Sequence, residues 1–115
     1  MRKIEYSKVV QRKLRTLRSE LIEKFGSETS TETMTKVMRD IHHLGENSEI
    51  GVNIAKMYDV DTDYWYIFTA HNYFIYRIEE SSIVVVNMFN EREDFMLKLF
   101  GVSGRTQESI DYWGE

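Results

Sequence analysis

Three side chains in the second half of the chain are of types that do chemistry: His71, Arg77 and Arg92. An imidazole exchanges protons near neutral pH. A guanidinium is permanently charged and holds a phosphate or carboxylate through two parallel hydrogen bonds. Around one phosphodiester, such a set would stabilise developing charge and move a proton. Each residue also has an ordinary reading. Histidine is tolerated in turns, and Arg77 has Glu79 and Glu91 as candidate ion-pair partners. Arg92 reads as lying in the first turn of the last helix, where a cation opposes the helix dipole; that leaves either a use beyond local stability or an ordinary solvated Arg.

Seven aromatics surround these cations: Tyr64, Trp65, Tyr66, Phe68, Tyr73, Phe74 and Tyr76. They can stack on bases or pack against a partner. Strand alternation allows only half of them to share a face, and Arg77 has the parity of Tyr73 and Ile75. Partner contact is therefore expected at Arg77, Arg92, Tyr73, Tyr64 and Tyr66. His42 and His43 are adjacent, diverge on a helix and cannot form an i, i+4 metal pair. Asp59, Asp61 and Asp63 alternate as in part of a calcium loop, but Tyr64 stands where the glycine belongs and no Glu falls at the twelfth position. No metal and no cofactor are expected.

The elements that must position these residues are legible from period. Tyr64 to Ala70, Tyr73 to Glu79 and Ser82 to Phe89 are aromatic and β-branched runs, broken at His71-Asn72 and Glu80-Ser81, which predicts consecutive hairpins. Phe95, Met96, Leu99 and Phe100 then fall at helical spacing, with Asn90 and Glu93 as a capping box and Gly101 as the stop. Upstream, residues 2–6 alternate as a short strand. Ser7 is placed to cap a helix with an apolar stripe of Val10, Leu14, Leu17, Leu21 and Phe25, ended by Gly26. Ser27 to Thr33 reads as a polar turn in which Thr29 and Glu32 form a second capping box. Met34, Val37, Met38, Ile41 and Leu44 give a second amphipathic helix, ended by Gly45. Asn53 to Tyr58 reads as a short edge strand. Everything upstream of the meander is expected to cover one face of its sheet, leaving an aromatic-rich face open.

At 115 residues with 42% hydrophobic content, the chain suits a single globular domain. The absence of cysteine removes disulfides and thiolate metal sites. The N-terminus lacks the apolar core of a signal peptide, and no run approaches a bilayer span, so a cytoplasmic protein without membrane contact is expected. The net charge of −4 is unevenly distributed. Residues 1–25 carry eight Lys/Arg against three Glu, a net of +5; the remainder carry seven basic against sixteen acidic side chains, a net of −9. A basic first helix can meet phosphate or an acidic partner, or simply be a solvated face.

The order of strand, helical hairpin, aromatic hairpin, β-branched strand and short helix resembles the RelE/ParE toxins of bacterial type II toxin–antitoxin modules, often labelled plasmid stabilisation proteins. The likeness is carried by Tyr6-Ser7, Phe25-Gly26, the run Tyr73 to Glu79, Ile83 to Val86, and the Arg with acidic neighbours in Asn90 to Phe95. It implies an α+β domain over residues 1–101, with the first strand beside the last of an antiparallel sheet and the helical hairpin on one face. Residues 102–115 are left as a polar tail. It also implies an antitoxin partner, and one of two activities: ribosome-dependent mRNA cleavage, or inhibition of DNA gyrase without enzymatic chemistry. The nuclease branch uses basic residues on the middle strands; the matching positions here fall on Tyr64, Tyr66 and Tyr73, and Leu99 and Phe100 stand near the place of its C-terminal catalytic residue. The resemblance therefore implies a growth-inhibiting, protein-binding toxin first, with an endoribonuclease or an inactive toxin-like binder as alternatives. Tyr112-Trp113 in the tail are expected either to seek apolar surface, on the same molecule or on a second copy as a homodimer, or to belong to a disordered polar tail.

Overall fold

In the computed structural model, which describes residues 1–101, one residue separates the first strand from the first helix. Strand β1 spans Lys3–Tyr6 and helix α1 Lys8–Phe25. Ser7 between them still donates its backbone N–H to Val85 O at 3.0 Å. Its hydroxyl accepts from the Val10 N–H at 3.1 Å and donates to Val86 O at 2.8 Å. The cap expected at Ser7 is thus also a clasp between helix and sheet.

Gly26, at φ +90°, ends α1 and reverses the chain without a loop. Helix α2 consequently runs Ser27–His42, starting where the sequence suggested a polar turn. Thr29 and Glu32 lie inside it and form no capping box, because a left-handed glycine makes the turn in one residue. A 3-10 turn, His43–Gly45, follows, and a second spans Ser48–Ile50.

Strand β2 is only Val52–Asn53, and helix α3 covers Ile54–Tyr58. The edge strand expected over 53–58 is therefore mostly helix, capped by the Asn53 side chain, which accepts from the Lys56 N–H. Strands β3 (Tyr64–Thr69), β4 (Asn72–Ile78) and β5 (Ser82–Asn90) form the meander. Its first turn sits at Ala70-His71, one residue earlier than the sequence suggested, with φ of 49° and 63°. Both values suit the mirror-image turn whose twist matches a hairpin. Asn72, instead of turning, is buried as the first residue of β4 and donates its amide to Ala70 O at 2.7 Å.

The five strands lie in the order β1-β5-β4-β3-β2. All neighbours are antiparallel except β1 and β5, which run parallel, so the sheet is mixed. On β5, Val86 is an extra residue between the pairs Ile75–Asn87 and Tyr76–Val85. Ser7 clasps this bulge, and Lys13 closes over it, its Nζ donating to Asn87 Oδ1 at 2.8 Å and Met88 O at 2.9 Å.

The helical hairpin covers one face, as the resemblance implies. Val10, Val37, Ile41 and Leu44 pack there against Phe74, Tyr76, Ile83 and Val85, all fully buried. The opposite face is not left open. Helix α3 and the last helix, α4 (Phe95–Phe100), close it with a second core of Ile54, Ile75, Phe89, Phe95 and Met96. Asn90 and Glu93 do exchange bonds, the Asn90 N–H to Glu93 Oε2 at 2.7 Å, but they close a turn rather than open the helix. Asp94 is the cap of α4, accepting from the Leu97 N–H at 3.1 Å, and Gly101 at φ +69° ends it. The polar tail lies outside the described residues.

Replacing Ser7 by Ala removes a helix cap and a bond to the bulge together. Unfolding in urea should show a loss of about 1–3 kcal/mol with an unchanged slope. A loss below ~0.5 kcal/mol would mean the clasp carries no weight.

Candidate functional site

The sequence-derived candidates divide between the two ends of β4. Arg77 pairs with Tyr64 across β3 and β4. Its Nε lies 3.4 Å from Glu79 Oε1, so the local ion pair forms. His71 is at the other end, about 20 Å away at ~3.3 Å per residue. There its Nδ1 is 3.1 Å from Glu91 Oε1, and Arg92 lines the same cleft. Arg92 belongs to the turn before α4 and not to the helix, so the helix dipole does not bear on it. The structure thus brings His71 and Arg92 together and keeps Arg77 apart from both.

Tyr64, Tyr66 and Tyr73 share a face, as strand parity requires, but they are half-buried in the second core. Tyr66 meets Tyr73 and Phe95 edge-on, each at 5.3 Å between centroids, and Tyr73 lies 4.8 Å from Phe95. Burial, then the Tyr58 hydroxyl beside it, pushes the Tyr66 phenol up to about 12. At neutral pH it remains a donor and cannot act as a base. Among the described residues, Arg77 stands cross-strand from Tyr64 but is paired with Glu79, and no acid–base pair joins it there as phosphodiester cleavage requires.

A second feature lies on the opposite side of the hairpin tip. Leu17, Leu21 and Phe25 of α1, Thr29 and Thr33 of α2, and Phe68 and Ala70 of the β3–β4 hairpin line an apolar trough of about 730 Å³. Phe25 was assigned to the buried stripe, and it stands 62% exposed because α2 turns away directly after Gly26. Phe68 also borders the trough, but its ring, 48% exposed, lies on the other face of the sheet, 4.9 Å from the Tyr73 ring. A large exposed ring such as Phe25 on the rim of an apolar trough marks an interaction surface better than an isolated one does.

A further cleft of about 450 Å³ lies along the sheet edge, lined by Asp40, His43, Ile50, Gly51, Val52, Tyr66, Ile67 and Phe68. Strand β2 pairs only with Trp65 and Tyr66, so among the described residues no strand covers the β3 edge from Ile67 to Thr69. Gly51 fits here because a Cβ would come within 2.5 Å of both Tyr66 O and the Tyr76 hydroxyl. Between cleft and trough stands a polar wall. Asp40 Oδ2 accepts from Lys36 Nζ at 2.7 Å and from the Thr69 hydroxyl at 2.6 Å. These two bonds, Lys36 first, hold the Asp40 carboxyl below its ordinary value.

No protein-family model matches the chain, and no curated protein matches it. Among solved structures it is similar to a chain described as "Chromosomal ParDE TA system from P. aeruginosa", with a TM-score of 0.64 at 9% identity. The match covers 78% of this chain and 96% of that one. What the two share is the fold: an α+β domain with a helical hairpin on a sheet whose first strand lies beside the last. Among the described residues, no helix is long and apolar enough to cross a membrane.

A depressed carboxyl stabilises the fold above its unfolded pKa, and that contribution is lost as pH falls through the lower folded value. Asp40 therefore supports the wall between trough and cleft at neutral pH, and that support fades as pH falls from the ordinary carboxylate range through its lower folded value. Asp40→Asn should be less stable at pH 7, and its melting temperature should fall less steeply between pH 5 and 3. Parallel melting curves for the variant and the wild type across that window would exclude this role.

Proposed function

We propose that this chain is the toxin component of a bacterial type II toxin–antitoxin module. In this reading a small antitoxin silences it by laying an apolar segment in the trough between α1, α2 and the β3–β4 hairpin. The observation that carries the proposal is Phe25, exposed on the rim of a ready-made apolar groove floored by Leu17 and Leu21, in a fold shared with a chain of a ParDE system. Desolvating an aromatic anchor on a concave surface is how peptide segments gain much of their affinity.

The toxin acts by binding a cellular target such as DNA gyrase rather than by cutting RNA. The arrangement of candidate residues supports that choice. Arg77 lies ~20 Å from His71 and Arg92, and the tyrosine face offers donors but no assembled acid, base and cation. Arg77 and Arg92 then serve as separate partner contacts, with Tyr64, Tyr66 and Tyr73 as the packed surface around Arg77. The protein works in the cytoplasm and needs no cofactor.

Co-expression with the small protein encoded beside it should give a complex that survives gel filtration. Phe25→Glu should weaken that complex at least 30-fold, since burying an unpaired carboxylate at a central anchor costs 2 kcal/mol or more at ~1.4 kcal/mol per tenfold. Separate elution of the two wild-type chains would defeat the proposal.

Expression alone should arrest growth, and Arg77→Ala with Arg92→Ala should relieve the arrest. Normal growth with abundant folded protein would favour an inactive toxin-like binder. New mRNA cuts within codons in arrested cells would instead establish the ribosome-dependent endoribonuclease.

A further inference from the structure

The outward face of α1 carries a line of cations that the reading above does not use. At ~100° per residue, Lys8, Arg12 and Arg15 fall within an arc of roughly 60°, on the side opposite the Val10, Leu14 and Leu17 that face the first core. Arg18 stands on the flank of this line, and all four are exposed. From Lys8 to Arg18 the row covers about 15 Å of helix. Ion pairs among the described residues are Lys36–Asp40, His71–Glu91, Arg77–Glu79 and Lys98–Glu93. None engages the row, so its charge faces outward uncompensated by any described carboxylate.

We propose that this face of α1 binds the phosphate backbone of duplex DNA. The side chains between the cations decide the class of partner. Thr16 and Ser19 are small and polar, and the exposed aliphatic side chain on this side of the helix, Ile22, stands one turn beyond Arg18, past the end of the row. A protein partner needs a desolvated apolar centre, and between Lys8 and Arg18 this face has none. A single strand is gripped by stacking its bases on aromatic rings, which are also missing. Backbone contact needs only permanent cations and hydroxyl donors on a rigid support. A convex helix of about 10–12 Å diameter suits the wide major groove of B-form DNA, whereas the major groove of duplex RNA is too narrow to admit it. The arginines are the stronger part of the row, since their planar forks match phosphate oxygens and stay charged at any working pH. The acidic remainder of the chain, net −9, opposes the approach of DNA from other sides and orients the molecule with α1 inward. Binding of this kind is independent of sequence. It concerns a different face from the trough and stands whether or not the toxin reading holds.

Fluorescence anisotropy with a labelled 20-base-pair DNA duplex and the full chain tests this. Binding should be measurable in 50 mM salt and fall by about 60-fold at 200 mM, the slope of about −3 expected for three to four neutralised phosphates. Arg12→Glu with Arg15→Glu should weaken binding at least ~10-fold and flatten the slope by about two units. Lys56→Glu, an exposed charge reversal on α3, should leave both within a factor of about two. If the double reversal loses helical circular dichroism, Arg12→Gln and Arg15→Gln singly should each flatten the slope by about one unit. No binding at 50 mM salt, affinity unmoved by these changes, tighter binding of an RNA duplex, or equal binding of polyglutamate would each overturn the proposal.

Discussion

The position of everything on the helical face depends on how Ser7 joins two kinds of backbone pairing. Its N–H still completes the β1–β5 ladder while its hydroxyl already serves α1. No flexible residue intervenes, so the direction of α1 is set by the sheet and not by a linker. Lys13, two turns on, fixes the helix a second time at the same bulge, with its ammonium 4.4 Å from the centre of the Phe89 ring. Two attachments separated along one helix define its axis as well as its start. Gly26 then transmits that axis to α2 in a single residue. The trough between the helices and the hairpin tip inherits its width from this chain of constraints.

Period and capping chemistry made the long elements legible, and the reasons for the misses are local. The β-branched and aromatic runs could only be strands, and the stripe from Val10 to Leu21 could only be a helix. The turn at Ala70-His71 was displaced by one residue because Asn72 is the better turn former by type. Packing decided otherwise, since Asn72 is 5% exposed and satisfied by Ala70 O. Asn90-Glu93 and Asp94 both offer a cap to the same helix, and sequence does not rank them. Each is used, one for a turn and one for α4. A five-residue helix such as α3 is shorter than two helical turns, below what periodicity resolves.

The candidate site was less legible than the fold. Strand parity put Arg77 on the face of Tyr73 and Ile75, because alternation is a property of one strand; the β3–β4 register then adds Tyr64 and Tyr66 to that face. It was silent on what lies above that face, which depends on where α3 and α4 return. Phe25 illustrates the opposite failure. Its spacing belongs to the buried stripe, yet the stripe outlasts the sheet beneath it, and the last turn of α1 projects past its support. Separation along β4, rather than residue type, is what distinguishes His71 and Arg92 from Arg77.

The brevity of β2 has a consequence for what the sheet can pair with. Among the described residues, no strand lies beside the outer edge of β3 from Ile67 to Thr69, and Ile50 and Phe68 flank that edge at 56% and 48% exposure. An uncovered edge with apolar neighbours is a template for any extended backbone, including that of another copy. Encounters between copies rise with the square of their concentration, whereas capture by a different protein rises only in proportion to each. That stretch is therefore where the sheet is most open to pairing with extended backbone of either kind.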